Sequence, residues 1–83
     1  MYYLINTDSF TKILAARTTS AAQSKSQAFW KAFHEDHSGR SYVNTAWYYV
    51  TPTQVISCET NGYGVIVKGM VAGMTPREFR KSL

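Results

Sequence analysis

One cysteine, Cys58, stands alone in 83 residues, so no internal disulfide framework holds the fold together. Long apolar runs are missing. Stretches such as Trp47-Tyr48-Tyr49-Val50 fall far short of the ~18 residues needed to span a bilayer. The opening residues, Met1-Tyr2-Tyr3-Leu4-Ile5-Asn6-Thr7-Asp8, lack both the basic start and the continuous apolar stretch of a secretory leader. The end lacks a prenylation cysteine and the start a myristoylated glycine. The expectation is a cytosolic chain with no membrane partner. Acidic residues are scarce, five against nine lysines and arginines, which gives a formal charge of +4. Repeats, low-complexity tracts and linkers are also wanting. At 9.4 kDa the chain makes one domain, residues 1–83, because independent domains rarely fall much below ~50 residues. A domain of this size buries only roughly 60–65% of its unfolded surface, so a large walled enzyme cleft is not expected.

What is there is globular and aromatic. Apolar residues are 45% and charged residues 17%, a balance that excludes a disordered chain. Tyr2 to Thr7 reads as a strand, Asp8-Ser9 as turn chemistry, and Phe10 to Arg17 as a second strand pairing back on the first. Ser20 with Gln23 fits a capping box for a helix from about Ala21 to Asp36 or His37. Its apolar stripe is Ala22, Ser26, Phe29 and Phe33, with Trp30 at the edge. Ala28 and Ala32 lie on the other flank, where they allow close approach to a sheet, and Gln23, Gln27, Lys31, His34 and Glu35 face water. Ser38-Gly39 ends the helix. Tyr42 to Thr51 is the strongest strand, with Val43, Thr45, Trp47 and Tyr49 on one face, and Pro52 stops it. Gln54–Thr60 and Tyr63–Lys68 flank Asn61-Gly62, a two-residue hairpin signal. Gly69 and Gly73 point to a bend or a close backbone approach. Thr75-Pro76-Arg77-Glu78 is a second capping box. Met74 and Phe79 stand as its hydrophobic staple, opening a short helix from Pro76 to about Ser82 with Phe79 and Leu83 inward. The order ββαβββα predicts an α+β domain. Its antiparallel sheet has about four to five strands, one amphipathic helix packed on one face, and a short C-terminal helix.

The chemical candidates are few. His34-Glu35-Asp36-His37 places two imidazoles three residues apart, yet zinc needs three or four convergent donors and Cys58 is the only other soft one. The bland reading is an exposed last helical turn, with histidine near the negative end of the dipole. A small toxin-like ribonuclease or metal enzyme using His34, His37 and Glu35 is the weakest of three readings. Cys58, in Val55-Ile56-Ser57-Cys58-Glu59, reads as a small buried strand residue rather than a nucleophile. No G-x-S-x-G elbow, Walker loop, dinucleotide fingerprint, H-E-x-x-H or EF-hand loop is present. No catalytic residue, metal or cofactor is therefore assigned.

Charge and aromatics say more. Lys68, Arg77, Arg80 and Lys81 against Glu78 put +3 of the charge into the last 16 residues. Such a patch suits polyanions or an acidic protein surface. It equally suits a helix dipole complemented at its C-terminus. One helix covers one sheet face, so the other face is expected to carry tyrosines in water or an interface. That leaves Trp47, Tyr48 and Tyr49 as candidates, with Lys31 on the open helix face, and makes a homodimer possible.

Two resemblances follow from these residues. Gly73-Met74-Thr75-Pro76-Arg77-Glu78-Phe79-Arg80-Lys81 is similar to the closing segment of AraC-type transcription regulators. The predicted hairpin just before it departs from that all-helical fold, and the capping box and staple explain the likeness, so it is set aside. The layout as a whole resembles small phage and mobile-element accessory proteins of the anti-CRISPR kind. Its features are the hairpin, the helix entered through Arg17-Thr18-Thr19-Ser20-Ala21-Ala22, and the antiparallel sheet. That resemblance implies a non-catalytic inhibitor occupying a surface of a host protein or nucleoprotein complex. The alternative is direct binding of DNA or RNA.

Overall fold

The computed structural model describes residues 1–36, 44–61, 65–67 and 69–83, with the backbone alone at His34 and Asp36. The elements are β1 Tyr2–Asn6, β2 Thr11–Ala16, α1 Thr19–Asp36, β3 Thr45–Val50, β4 Val55–Cys58, β5 Met70–Val71 and α2 Pro76–Ser82. The strands form one antiparallel sheet ordered β2-β1-β3-β4-β5, the α+β architecture expected from the sequence.

Local chemistry sets the first hairpin. Asn6 Oδ1 accepts from the Asp8 amide at 2.9 Å, the side-chain turn typical of Asn. Asn44, entering β3, donates to Asp8 Oδ1 at 3.0 Å. Its carbonyl accepts from the Thr7 amide at 2.7 Å and the Thr7 hydroxyl at 3.0 Å. Leu4 faces Leu14 while Ile5 faces Lys12, so Ile13 is the extra residue of a bulge.

Cross-strand registers build two rows on one sheet face. Leu14, Leu4, Trp47 and Cys58 stand side by side, and so do Ala16, Tyr2, Tyr49, Ile56 and Val71. Helix α1 packs over the β2–β1 side of this face through Ala21, Ala22 and Phe29. Its stripe is as the periodicity implies: Ala22 and Ser26 are fully buried, Phe33 is buried, and Phe29 and Trp30 are half-buried. The cap differs. Thr18 accepts from the Ala21 amide at 3.1 Å, so the helix starts two residues before the Ser20–Gln23 box would allow. Ala28 and Ala32 are exposed, and Ala21 and Ala22 make the close approach instead.

The hairpin after β4 also departs from its signal. A two-residue Asn61-Gly62 turn would put Thr60 opposite Tyr63. Thr60 instead faces Ile66, the Asn61 amide donates to the Val65 carbonyl at 3.0 Å, and Asn61 Oδ1 accepts from the Val65 amide at 3.1 Å. The connection is therefore longer than the dipeptide implied, and Gly62, Tyr63 and Gly64 lie outside the described residues. In the described part of the return, Ile66 alone makes a bridge, and the paired strand is Met70–Val71. Thr60 opposite Ile66 and Ile56 opposite Val71 differ by one residue in register, so the returning chain carries an extra residue before β5. Gly69 falls there. A Cβ on it would overlap the Ser57 carbonyl oxygen, the close backbone approach that its glycine suggested.

Helix α2 closes the opposite face, which is not left open as expected. Thr75 Oγ1 accepts from the Glu78 amide at 3.2 Å, and Glu78 Oε1 accepts from the Thr75 amide at 3.2 Å, completing the capping box. Phe79 is fully buried with Ile5 and Val55, and Met74 packs against the same cluster as its staple. The Phe79 ring lies 5.6 Å from Tyr3, 5.4 Å from Tyr48 and 5.6 Å from Phe10. Phe10 reaches it from a positive φ of 53°, a backbone region uncommon for residues with a side chain. Leu83 is 42% exposed rather than inward.

Candidate binding surfaces

Two surfaces emerge from this framework. The first is the outer side of α2. Pro76 at the first turn and buried Phe79 hold the helix against the sheet, so the residues between and after them turn outward. Arg77, Arg80 and Lys81 are all exposed. The one acid of the helix, Glu78, is turned back on the Thr75 amide. Arg80 and Lys81 also sit in the last turn, where the helix dipole favours cations. Lys68 lies outside the described residues.

The sheet sorts the aromatic candidates. Trp47 is 0% exposed and belongs to the core beside Leu4 and Cys58, which leaves it no surface for a partner. Tyr48 is half-buried beneath Phe10 and Phe79, and that burial pushes its hydroxyl above the ordinary phenol value. Tyr49 lines an accessible hollow. Lys31 is exposed on α1, away from the α2 cations in the chain and on the helix of the other sheet face.

The second surface is that hollow, a groove of about 410 Å³ on the α1 side of the sheet. It exists because α1 lies over β2 and β1 and leaves the β3–β4–β5 side of the face uncovered. Tyr2, Tyr49 and Ile56 line it from adjacent positions of one cross-strand row, and Ile66, Val67 and Val71 line it from the returning chain. The Tyr2 and Tyr49 rings are 4.6 Å apart and tilted by 31°. Tyr2 Oη and Thr19 Oγ1, 2.7 Å apart, share a hydrogen bond at its helix end. None of the described residues lining it is charged. Groove volumes of roughly 300–1,000 Å³ suit small ligands or inserted side chains.

Cys58 also lines this groove but is only 7% exposed. Burial raises its thiol above the ordinary value, partly offset by a hydrogen bond from the Tyr49 backbone. A protonated, buried thiol is a poor nucleophile. Of the His34–His37 cluster, Glu35 is exposed, the imidazole of His34 is not described, and His37 lies outside the described residues. Among the described residues no three His, Cys, Asp or Glu side chains converge as metal donors. Among the same residues no helix is long and apolar enough to cross a membrane.

Sequence reasoning missed the groove. Its one available signal was the alternation of Tyr2, Tyr49, Ile56 and Val71, which identifies a shared face only once the strand registers are known. No family model matches the chain, and no curated protein or solved structure is significantly similar to it.

Proposed function

We propose that this chain is a non-catalytic binding protein, of the phage-accessory or anti-defence kind, which occupies a surface of a host nucleic-acid-handling complex. The observation that supports this is the cationic side of α2. Arg77, Arg80 and Lys81 are exposed together on a helix whose single acid is engaged in its own cap. A nucleoprotein complex exposes the phosphates of its bound nucleic acid and acidic patches of its protein surface, and a small rigid cation cluster is complementary to both. The helix is held by Phe79, so its charges are displayed on a fixed element rather than a mobile tail. Docking of this kind depends on charge and shape and needs no reacting group.

The test is capture from a host lysate, with and without nuclease, by the natural chain and by Arg77→Glu/Arg80→Glu/Lys81→Glu. A protein retained after nuclease by the natural chain and lost by the variant is the expected result. Equal retention by both would remove α2 from the interface. Retention of nucleic acid alone, with log affinity falling linearly in log salt, would move the assignment to direct DNA or RNA binding.

A further inference from the structure

The sheet has two outer edges, and the structure treats them differently. The β2 edge is guarded: Lys25 of α1 donates its ammonium to the Ala15 carbonyl at 2.6 Å, and Lys12 stands exposed along the strand. Lysines and occupied carbonyls are the usual means of blunting an edge against strand addition. The β5 edge is blunted only by its length of two residues and the extra residue before it; its described residues include no lysine, and Met70, 74% exposed, and Val71, 63% exposed, are the two most exposed large apolar residues described.

Backbone direction completes the picture. The Ala72 amide donates inward to the Val55 carbonyl at 2.8 Å. Successive residues of a strand alternate, so the N–H and C=O of Val71 point outward, away from β4. The Val71 side chain meanwhile lines the groove on the α1 face.

We propose that the β5 edge pairs antiparallel with the β5 edge of a second copy of this chain, about a two-fold axis at Val71. In that register the two Val71 residues form a hydrogen-bonded pair and exchange both N–H···O bonds. Antiparallel partners point to the same face, so the two Val71 side chains meet and the two apolar grooves become continuous. A second copy fits better than an unrelated strand on three grounds. The patch is self-complementary, as a two-fold interface must be. The described residues of β5 and the groove carry no charge, so none of them sets cation against cation between two chains of +4. The guarded β2 edge stops further addition, so the assembly closes at two copies instead of growing.

Sedimentation equilibrium of the full chain tests this directly. The weight-average mass should climb with concentration from 9.4 kDa toward twice that value. Val71→Lys should hold the mass at one chain at every concentration, with the far-ultraviolet circular dichroism unchanged because the side chain is exposed. Under mild oxidation Val71→Cys should form an inter-chain disulfide, whereas Ile13→Cys on the β2 strand should not. A natural chain that stays at single-chain mass at its highest soluble concentration overturns the proposal, whether or not it captures a foreign strand. So does a dimer that survives Val71→Lys. Reversing the α2 cations should leave the mass unchanged, so failure of the docking reading and failure of self-pairing are separately visible.

Discussion

On one face of the sheet an 18-residue helix lies over β2 and β1 and still leaves a groove beside it; on the other a 7-residue helix covers the surface through two buried residues, Pro76 and Phe79. The longer helix spreads its contacts over Ala21, Ala22, Ser26, Phe29 and Phe33. The shorter one depends on Phe79, which meets Tyr3, Tyr48 and Phe10 at once. The comparison teaches that helix length does not measure attachment. A helix of two turns cannot be stable alone, so its order comes from its anchor and its cap. The cationic surface is consequently only as rigid as the Phe79 socket.

The largest test of this contrast is Phe79→Ala. Removing a fully buried ring costs about 3–5 kcal/mol, a large part of the total stability of a small domain. Urea unfolding should show that loss, and hydrogen exchange should show α2 losing protection before the sheet does. Phe29→Ala on the long helix should cost less, because Phe29 is only half-buried and its neighbours share the contact. Equal losses for the two substitutions would break the comparison.

The faces also differ in how their polar atoms are treated. Ser26 Oγ, Thr45 Oγ1 and Trp47 Nε1 are buried without hydrogen-bond partners among the described residues. Ser26 belongs to α1, and Thr45 and Trp47 share their strand face with Tyr49, which α1 partly covers. The buried cluster under α2, by contrast, is Ile5, Val55 and Phe79, with no polar member. A buried hydroxyl left unpaired costs about 1–3 kcal/mol. Ser26→Ala should therefore raise stability by about 1 kcal/mol, since it removes that penalty and also improves helix propensity. A loss of stability in the same urea experiment would mean that the Ser26 hydroxyl is satisfied in solution.

How far the sequence disclosed this arrangement depends on what each element needed. Helix α2 was legible to its ends because its capping box, proline and staple are all local and occur together in Met74–Phe79. The α1 stripe was legible from its 3.6-residue period. Its cap was not, because Thr18, Thr19 and Ser20 are each competent and no local signal singles out Thr18, which the structure uses. The Asn61-Gly62 dipeptide signalled a hairpin correctly but its register wrongly, since pairing Thr60 with Ile66 is a choice made by the flanking strands. Trp47, Tyr48 and Tyr49 adjoin in the sequence yet have three different fates: core, socket of Phe79, and wall of the groove. Alternation separates Tyr48 from its neighbours. What distinguishes Trp47 from Tyr49 is how far α1 extends across the face, a tertiary fact that no local pattern carries.

Alkaline titration gives the smallest effect and the finest discrimination, because each face holds an acid whose pKa burial raises. Cys58 faces α1 and its groove, and Tyr48 lies under Phe79. Burial raises the thiol above its ordinary 9.0 and the phenol above its ordinary 10.0. The folded chain therefore keeps each proton to a higher pH than the unfolded chain does. Where the unfolded state has released a proton that the folded state still holds, raising the pH favours unfolding. Each contribution is intact below the group's ordinary value, 9.0 for the thiol and 10.0 for the phenol, and is lost as pH rises from there through the folded value. The thermal midpoint should fall as pH rises past these values, by the sum of the two losses. Cys58→Ala should remove the thiol's part of that fall, and Tyr48→Phe the phenol's. If Cys58→Ala leaves the whole curve unchanged, the thiol is not held away from water and the α1 face is more open at the groove than its 7% exposure implies.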